Sequence, residues 1–202
     1  MTVSVDFIFD FGSPNAYLAH RVLPGITLRT GARFRHIPCL LGGIFKATGN
    51  QAPMVAFRNI KGKLAYDLLE MRRFVEAHRL TRFRSNPHFP VNTLMLMRGA
   101  IAAEMDGRLA DYLEAGLTAM WEDGLQMDEP RVFVEAMTSR GFDGAALLER
   151  TQDPAVKAQL AANTAAAVER GTFGIPTFFV GDEMFFGKDR LTQVENAILA
   201  AV

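Results

Sequence analysis

The sequence predicts an α/β fold: a mixed sheet assembled from a β-α-β unit and a β-β-α unit, interrupted by an all-helical insertion. Three observations predict it. Val3, Val5, Phe7, Phe9 and Phe11 alternate with less apolar neighbours at the period of a strand, and Gly12-Ser13-Pro14 then breaks into a helix start. From about Lys61 to Arg170 almost every strong signal is helical. Strand character returns only in Pro176–Val180 and Glu183–Phe186, with Gly181-Asp182 as the hairpin turn between them.

Each element has a local reason. A serine hydroxyl accepts from the orphan N–H groups of a first helical turn, and proline fits the next position because its missing N–H is not needed there, so Ser13-Pro14 opens the first helix. Tyr17, Leu18, Val22 and Ile26 carry that helix through a proline bend at Pro24-Gly25 to an end at Thr30-Gly31. Ala32–Cys39 reads as the second strand, with Pro38 taking the chain out of the ladder; a strand, helix, strand unit implies a right-handed crossover with parallel strands. A glycine-rich connector follows from Leu41 to Pro53. In the helical block, Leu64, Leu68, Met71 and Val75 share one face. Asn92 or Thr93 starts a later helix and Gly107 ends it, while Asp128 before Pro130 and Asp153 before Pro154 are cap-then-proline pairs. Ala161–Ala167 is a good helix former. A final helix starts near Asp189. This order is compatible with a thioredoxin-like sheet carrying a helical insertion, the discontinuous unit being 1–60 and 171–202 and the insertion 61–170.

Composition narrows the function classes. The chain has 202 residues, 49% of them hydrophobic, enough for a sizeable core without covalent staples. Lys and Arg number 22 against 22 Asp and Glu, so no global field favours nucleic acid or an anionic membrane, and the basic run Arg72, Arg73, Arg79, Arg82, Arg84 reads as a solvated helix face and its exit loop. The single cysteine, Cys39, allows no internal disulfide and no Cys-x-x-Cys pair and reads as a core thiol. With no basic-then-apolar leader and no run of membrane-spanning length, a cytoplasmic protein is expected. His20, His36, His78 and His88 are scattered without metal-ligand spacing, so no metal site is expected.

The order of motifs resembles the glutathione-dependent 2-hydroxychromene-2-carboxylate isomerases and the kappa-class glutathione transferases, relatives of the disulfide oxidoreductases of DsbA type. Nearly the whole chain takes part. The matching residues are Phe9-Asp10-Phe11-Gly12-Ser13-Pro14, Gly49-Asn50-Gln51, Tyr66 through Phe74 and Phe89-Pro90-Val91-Asn92-Thr93. Trp121-x-Asp123-Gly124, Gly174-Ile175-Pro176-Thr177 and Phe186-Gly187-Lys188-Asp189-Arg190-Leu191 complete the set.

The resemblance implies a cytoplasmic isomerase, with glutathione as cofactor, a small aromatic carboxylate as substrate, and a homodimer. Ser13 stands where the oxidoreductases carry their reactive cysteine, so it is expected to stabilise a glutathione thiolate at a helix N-terminus and not to attack. Pro176 is expected in cis beside Ser13, leaving the N–H and C=O of Ile175 free to pair with the tripeptide as a short added strand. Lys188 and Asp189 are expected to meet the γ-glutamyl end, with Asp189 facing its ammonium; Asn50 matches a glutathione contact, although Gly49-Asn50 is equally a turn or helix end. The basic residue of the first inserted helix aligns with Lys63 through Tyr66, with Lys61 as the alternative. The reaction implied is isomerisation and ring opening through reversible addition of the glutathione thiol. A kappa-like transferase acting on other electrophiles is the second reading, and a non-catalytic thioredoxin-like binding module the third.

Overall fold

A computed structural model describes residues 2–201; Met1 and Val202, the outermost residues of the discontinuous unit expected from the sequence, lie outside the described residues. β1 (Ser4–Phe9) leads through Ser13 into α1 (Pro14–Thr30) and β2 (Arg33–Pro38). A helical run follows: α2 (Leu41–Thr48), α3 (Pro53–Ala56), α4 (Lys63–Ala77), α5 (Leu94–Met105), α6 (Leu109–Trp121), α7 (Pro130–Thr138), α8 (Gly144–Arg150) and α9 (Pro154–Glu169). The chain closes with β3 (Thr177–Val180), β4 (Glu183–Phe186), a 3-10 turn at Lys188–Arg190 and α10 (Leu191–Ala200). This is a thioredoxin-like α/β architecture.

The sheet order is β2-β1-β3-β4. β1 and β2 are parallel, with Val5 opposite Phe34, as a strand-helix-strand crossover requires. β3 runs antiparallel to β1, Val5 facing Val180 and Ile8 facing Thr177, and β4 returns along β3 through the turn at Gly181. β1 is therefore central, and every residue from Val5 to Phe9 is buried. Phe7 stacks on Phe178 with ring centroids 4.8 Å apart, and Phe9 meets Phe11 edge-on at 5.5 Å. Asp6 is kept in this strand by two cations from its neighbours, Arg35 Nε at 2.8 Å and Arg170 Nη1 at 2.7 Å. The core runs on without a break from the sheet into the helices. There the Phe11 ring leaves no room for a side chain at position 116: a Cβ on Gly116 would lie 2.5 Å from it.

Local chemistry explains the boundaries. α1 begins as expected: Ser13 has extended backbone, its hydroxyl accepts from Ala16 N at 3.2 Å, and Pro14 follows; Gly31, in the left-handed region at φ 69°, ends the helix after Pro24 has been absorbed inside it. Asp153 caps α9 as predicted, accepting from Ala155 N at 2.8 Å. Asp128 does not cap α7: Glu129 takes that position without a side-chain bond, and an Asp128 oxygen instead accepts from Asn92 N at 3.3 Å. The predicted face of α4 is only half realised. The helix packs through Met71, Phe74 and Val75, which turns Leu68 outward to 58% exposure. Among the described residues no helix is long and apolar enough to cross a membrane.

Candidate active site

The turn between β1 and α1 is built on a buried carboxylate. Asp10 is 1% exposed and takes three donors: Gly12 N at 2.8 Å and Thr93 Oγ1 at 2.6 Å on one oxygen, Leu41 N at 2.8 Å on the other. One side chain thereby ties together the end of β1, the start of α2 and the start of α5. Burial raises the Asp10 pKa, and the bonds from Leu41, Thr93 and Gly12 oppose that rise. The indole of Trp121 secures the same turn from the helical side, donating to Phe11 O at 2.8 Å.

Held by that turn, Ser13 projects at the N-terminus of α1 and is only 4% exposed. Its hydroxyl donates to Ile175 O at 3.1 Å, across 162 residues of sequence, and the Ile175–Pro176 peptide bond is cis. Ser13, Ile175 and Pro176 thus meet, at the end of a 17-residue helix whose dipole favours negative charge. The Ile175 carbonyl is not free, as expected from the sequence, but is engaged by Ser13. The Ile175 N–H carries no intramolecular partner among the described residues.

Asn50 reaches the same loop, its amide donating to Phe173 O at 2.8 Å while its oxygen accepts from Gln51 N. Gly187 N donates to Pro176 O at 2.9 Å, which draws the head of the last helical segment to the proline. Lys188 itself turns away into the structure. It is 4% exposed, its ammonium lies 2.7 Å from Asp189 Oδ1 and 5.1 Å from the Phe74 ring centroid, and with Asp189 it lines a groove of about 290 Å³ against α1, α4 and α10. Lys63 stands apart: it pairs with Asp67 one turn along α4 and lies over the Phe57 ring, with no hydrogen bond to the Ser13 loop. Lys61 lies in the exposed turn before α4.

Two features escaped the sequence reading. The Asp10–Thr93 clamp is one, since Thr93 has the local pattern of a helix start and nothing in the sequence links it to Asp10, 83 positions away. The other is a polar network one turn beyond Ser13. Tyr17 donates to Glu122 at 3.0 Å; Arg21 bridges Glu122 at 2.7 Å and Glu114 at 2.5 Å; His20 sits 2.8 Å from Glu114 and 2.9 Å from His36. The two rings share one hydrogen bond, between His20 Nδ1 and His36 Nε2. Two of the four histidines, His20 and His36, are therefore paired. Burial, then the neighbouring His20, lowers the His36 pKa to about 3; the hydrogen bond from His20 leads the causes that bring Glu114 to about 2. The Tyr17-Arg21 spacing of one helical turn was the available signal. Cys39 is fully buried, and burial pushes its thiol to about 12, which makes it inert as a nucleophile. Among the described residues no three His, Cys, Asp or Glu side chains are placed to hold a metal ion.

The model of the DSBA-like thioredoxin domain family matches residues 4–199. This chain belongs to that family. Within it, the chain is 32% identical over 200 residues to a 2-hydroxychromene-2-carboxylate isomerase of Pseudomonas sp. (strain C18), covering 98% of this chain and 91% of the relative. A solved 2-hydroxychromene-2-carboxylate isomerase superposes with a TM-score of 0.84 at 29% identity, over 98% of this chain and 95% of that one. The human glutathione S-transferase kappa 1 is 27% identical over 214 residues, covering 96% of this chain and 90% of that protein. The family carries its fold over with the sheet and the helical block both included, so the Ser13 loop and the Pro176 loop lie inside the matched region.

Proposed function

We propose that this chain is a glutathione-dependent isomerase of the 2-hydroxychromene-2-carboxylate type. The observation that carries the reading is the Ser13–Ile175 hydrogen bond at the N-terminus of α1. A serine hydroxyl has one proton to give. Ser13 and the Ile175 carbonyl now satisfy each other, and each is the group that a bound glutathione would need: the hydroxyl for its sulfur, the carbonyl for its backbone. Binding exchanges one internal hydrogen bond for two to the ligand, with the unpartnered Ile175 N–H supplying a third in the manner of strand addition.

Glutathione supplies a thiolate able to add reversibly to a conjugated substrate. The chain supplies the surroundings. The α1 dipole and the Ser13 hydroxyl lower the pKa of a sulfur placed there, Asn50 braces the loop that carries Ile175, and Lys188 with Asp189 offers a paired cation and anion for the two charges of a γ-glutamyl end. The Asp10 clamp keeps the turn rigid, so the hydroxyl need not reorganise as charge develops. Lys63, engaged with Asp67, serves only after leaving that partner. A homodimer and a cytoplasmic location complete the reading; sedimentation tests the first.

The kappa-class relative favours a second reading, permanent transfer of glutathione to an electrophile. One experiment separates the readings. Incubation with glutathione and 2-hydroxychromene-2-carboxylate should yield the ring-opened isomer with glutathione unchanged, and the bound thiol should titrate below free glutathione in ultraviolet thiolate absorbance. Ser13→Ala should raise that bound pKa and slow turnover. A stable conjugate as product sinks the isomerase in favour of the transferase, and absence of glutathione binding in calorimetry leaves only a non-catalytic binding module.

A further inference from the structure

Away from Ser13, helices α2, α5 and α9 enclose a groove of about 400 Å³, within the size range of small-molecule sites. Its floor is made of residues too small to fill it, Gly43 and Ala165 among them, and Leu94 and Leu160 form apolar walls. Two cations from different helices enter the lining, Arg98 from α5 and Lys157 from α9, while no Asp or Glu does. Neither takes part in an ion pair among the described residues, in a chain where most other arginines are paired. Arg98 Nε is moreover buried with no hydrogen-bond partner. A buried donor left unmatched is unfavourable, so Arg98 Nε has an opening for an acceptor that the described residues do not supply.

We infer that this groove is a second small-molecule site, one that takes a hydrophobic monocarboxylate with its acid group at Arg98 and Lys157 and its apolar body over the small-residue floor. The charge selects the acid: a guanidinium fork matches a carboxylate, and the lining offers no carboxylate to neutralise a cation or amine. The apolar walls select the body, since a small hydrophilic acid leaves them wet. None of Ser13, Asn50, Ile175 and Pro176 lines the groove, so the inference does not rest on the proposed isomerase chemistry.

Naphthoate, with naphthyl methanol as its uncharged counterpart, tests the assignment by calorimetry on the full chain, with methyl NMR of Leu94 and Leu160 to locate the ligand. Naphthoate should bind, naphthyl methanol at least about tenfold more weakly, and the Leu94 and Leu160 methyls should shift. Arg98→Gln should weaken naphthoate about tenfold, Lys157→Gln should add to the loss, and Arg98→Lys should restore part of it. Lys157 is on the helix surface, so its variant reports even where an Arg98 variant fails to fold. Ser13→Ala and saturating glutathione should leave this binding unchanged. Equal affinity for the alcohol, displacement by glutathione, or no binding at millimolar naphthoate would each overturn the inference. So would a loss of dimer in the Lys157→Gln variant without any naphthoate binding to the native chain, which would assign the groove to a second copy.

Discussion

Replacing Asp10 by asparagine tests whether the turn that presents Ser13 depends on a carboxylate. The carboxylate has lone pairs for all three donors, Gly12 N, Thr93 Oγ1 and Leu41 N. An asparagine can keep the two that share one oxygen, but its NH2 group then confronts the Leu41 N–H, donor against donor. Losing a hydrogen bond to a charged group costs about 1.5–3 kcal/mol and leaving the Leu41 N–H unmatched about 1–3 kcal/mol. These overlap. Part is returned because burial disfavours the ion and raises the Asp10 pKa. A net loss of about 2–4 kcal/mol remains, and at about 2–4 °C per kcal/mol for a chain of this size the melting temperature should drop by roughly 4–16 °C. The only tryptophan, Trp121, donates into the same turn and reports the transition by fluorescence. Thr93→Val should cost about 1 kcal/mol alone and less in the Asp10→Asn background, as coupled partners do. An Asp10→Asn protein melting within about 2 °C of wild type would refute the clamp.

Ser13→Ala removes both a cap and the bond to Ile175, at about 1 kcal/mol each, so calorimetry should show a melting temperature lower by roughly 4–8 °C even without ligand; an unchanged melt would mean the hydroxyl does neither job. Acid should weaken the fold in two stages. His36 stays neutral in the fold down to about 3 while the unfolded chain takes up that proton near 6.5, so stability falls as pH drops below about 6.5. Glu114, held at about 2 against an ordinary 4.5, adds a further loss below about 4.5. Denaturant melts at a series of pH values check both, and His36→Gln should flatten the upper stage. Gly116→Ala sets a methyl against the Phe11 ring; overpacking of about 1–3 kcal/mol, less up to about 1 kcal/mol of gained helix propensity, should destabilise the chain and disturb the Ser13 turn, seen as a shifted Trp121 emission.

Most of the fold was legible because its cues are local. The alternation through Val5, Phe7 and Phe9, the Ser13-Pro14 start, the Gly181 turn and the Asp153-Pro154 cap each act within a few residues, and each appears where the pattern puts it. What failed were competitions settled at a distance. Asp128 has the chemistry of a cap and spends it on Asn92, and Leu68 has the spacing of a buried face and is turned out by the packing of Phe74 against the core. The site divides the same way. Ser13 at a helix start can be read from three residues, whereas its bond to Ile175 spans 162 positions and no periodicity announces it; in the sequence only the resemblance to a family links those two loops. The His20–His36 pair was missed for the same reason: one residue is on α1, the other on β2, and only the parallel crossover makes them neighbours.

The position of β1 has a consequence for how the chain is made. One of its edges is covered by β2 almost as soon as both leave the ribosome, but Val5 receives its other partner, Val180, only after the whole helical block has been made. At roughly 5–20 residues per second the nascent protein carries an open apolar strand edge for roughly 10–35 s. Ribosome-associated chaperones have that window to shield it, and a C-terminal truncation that deletes β3 would make the exposure permanent and invite aggregation.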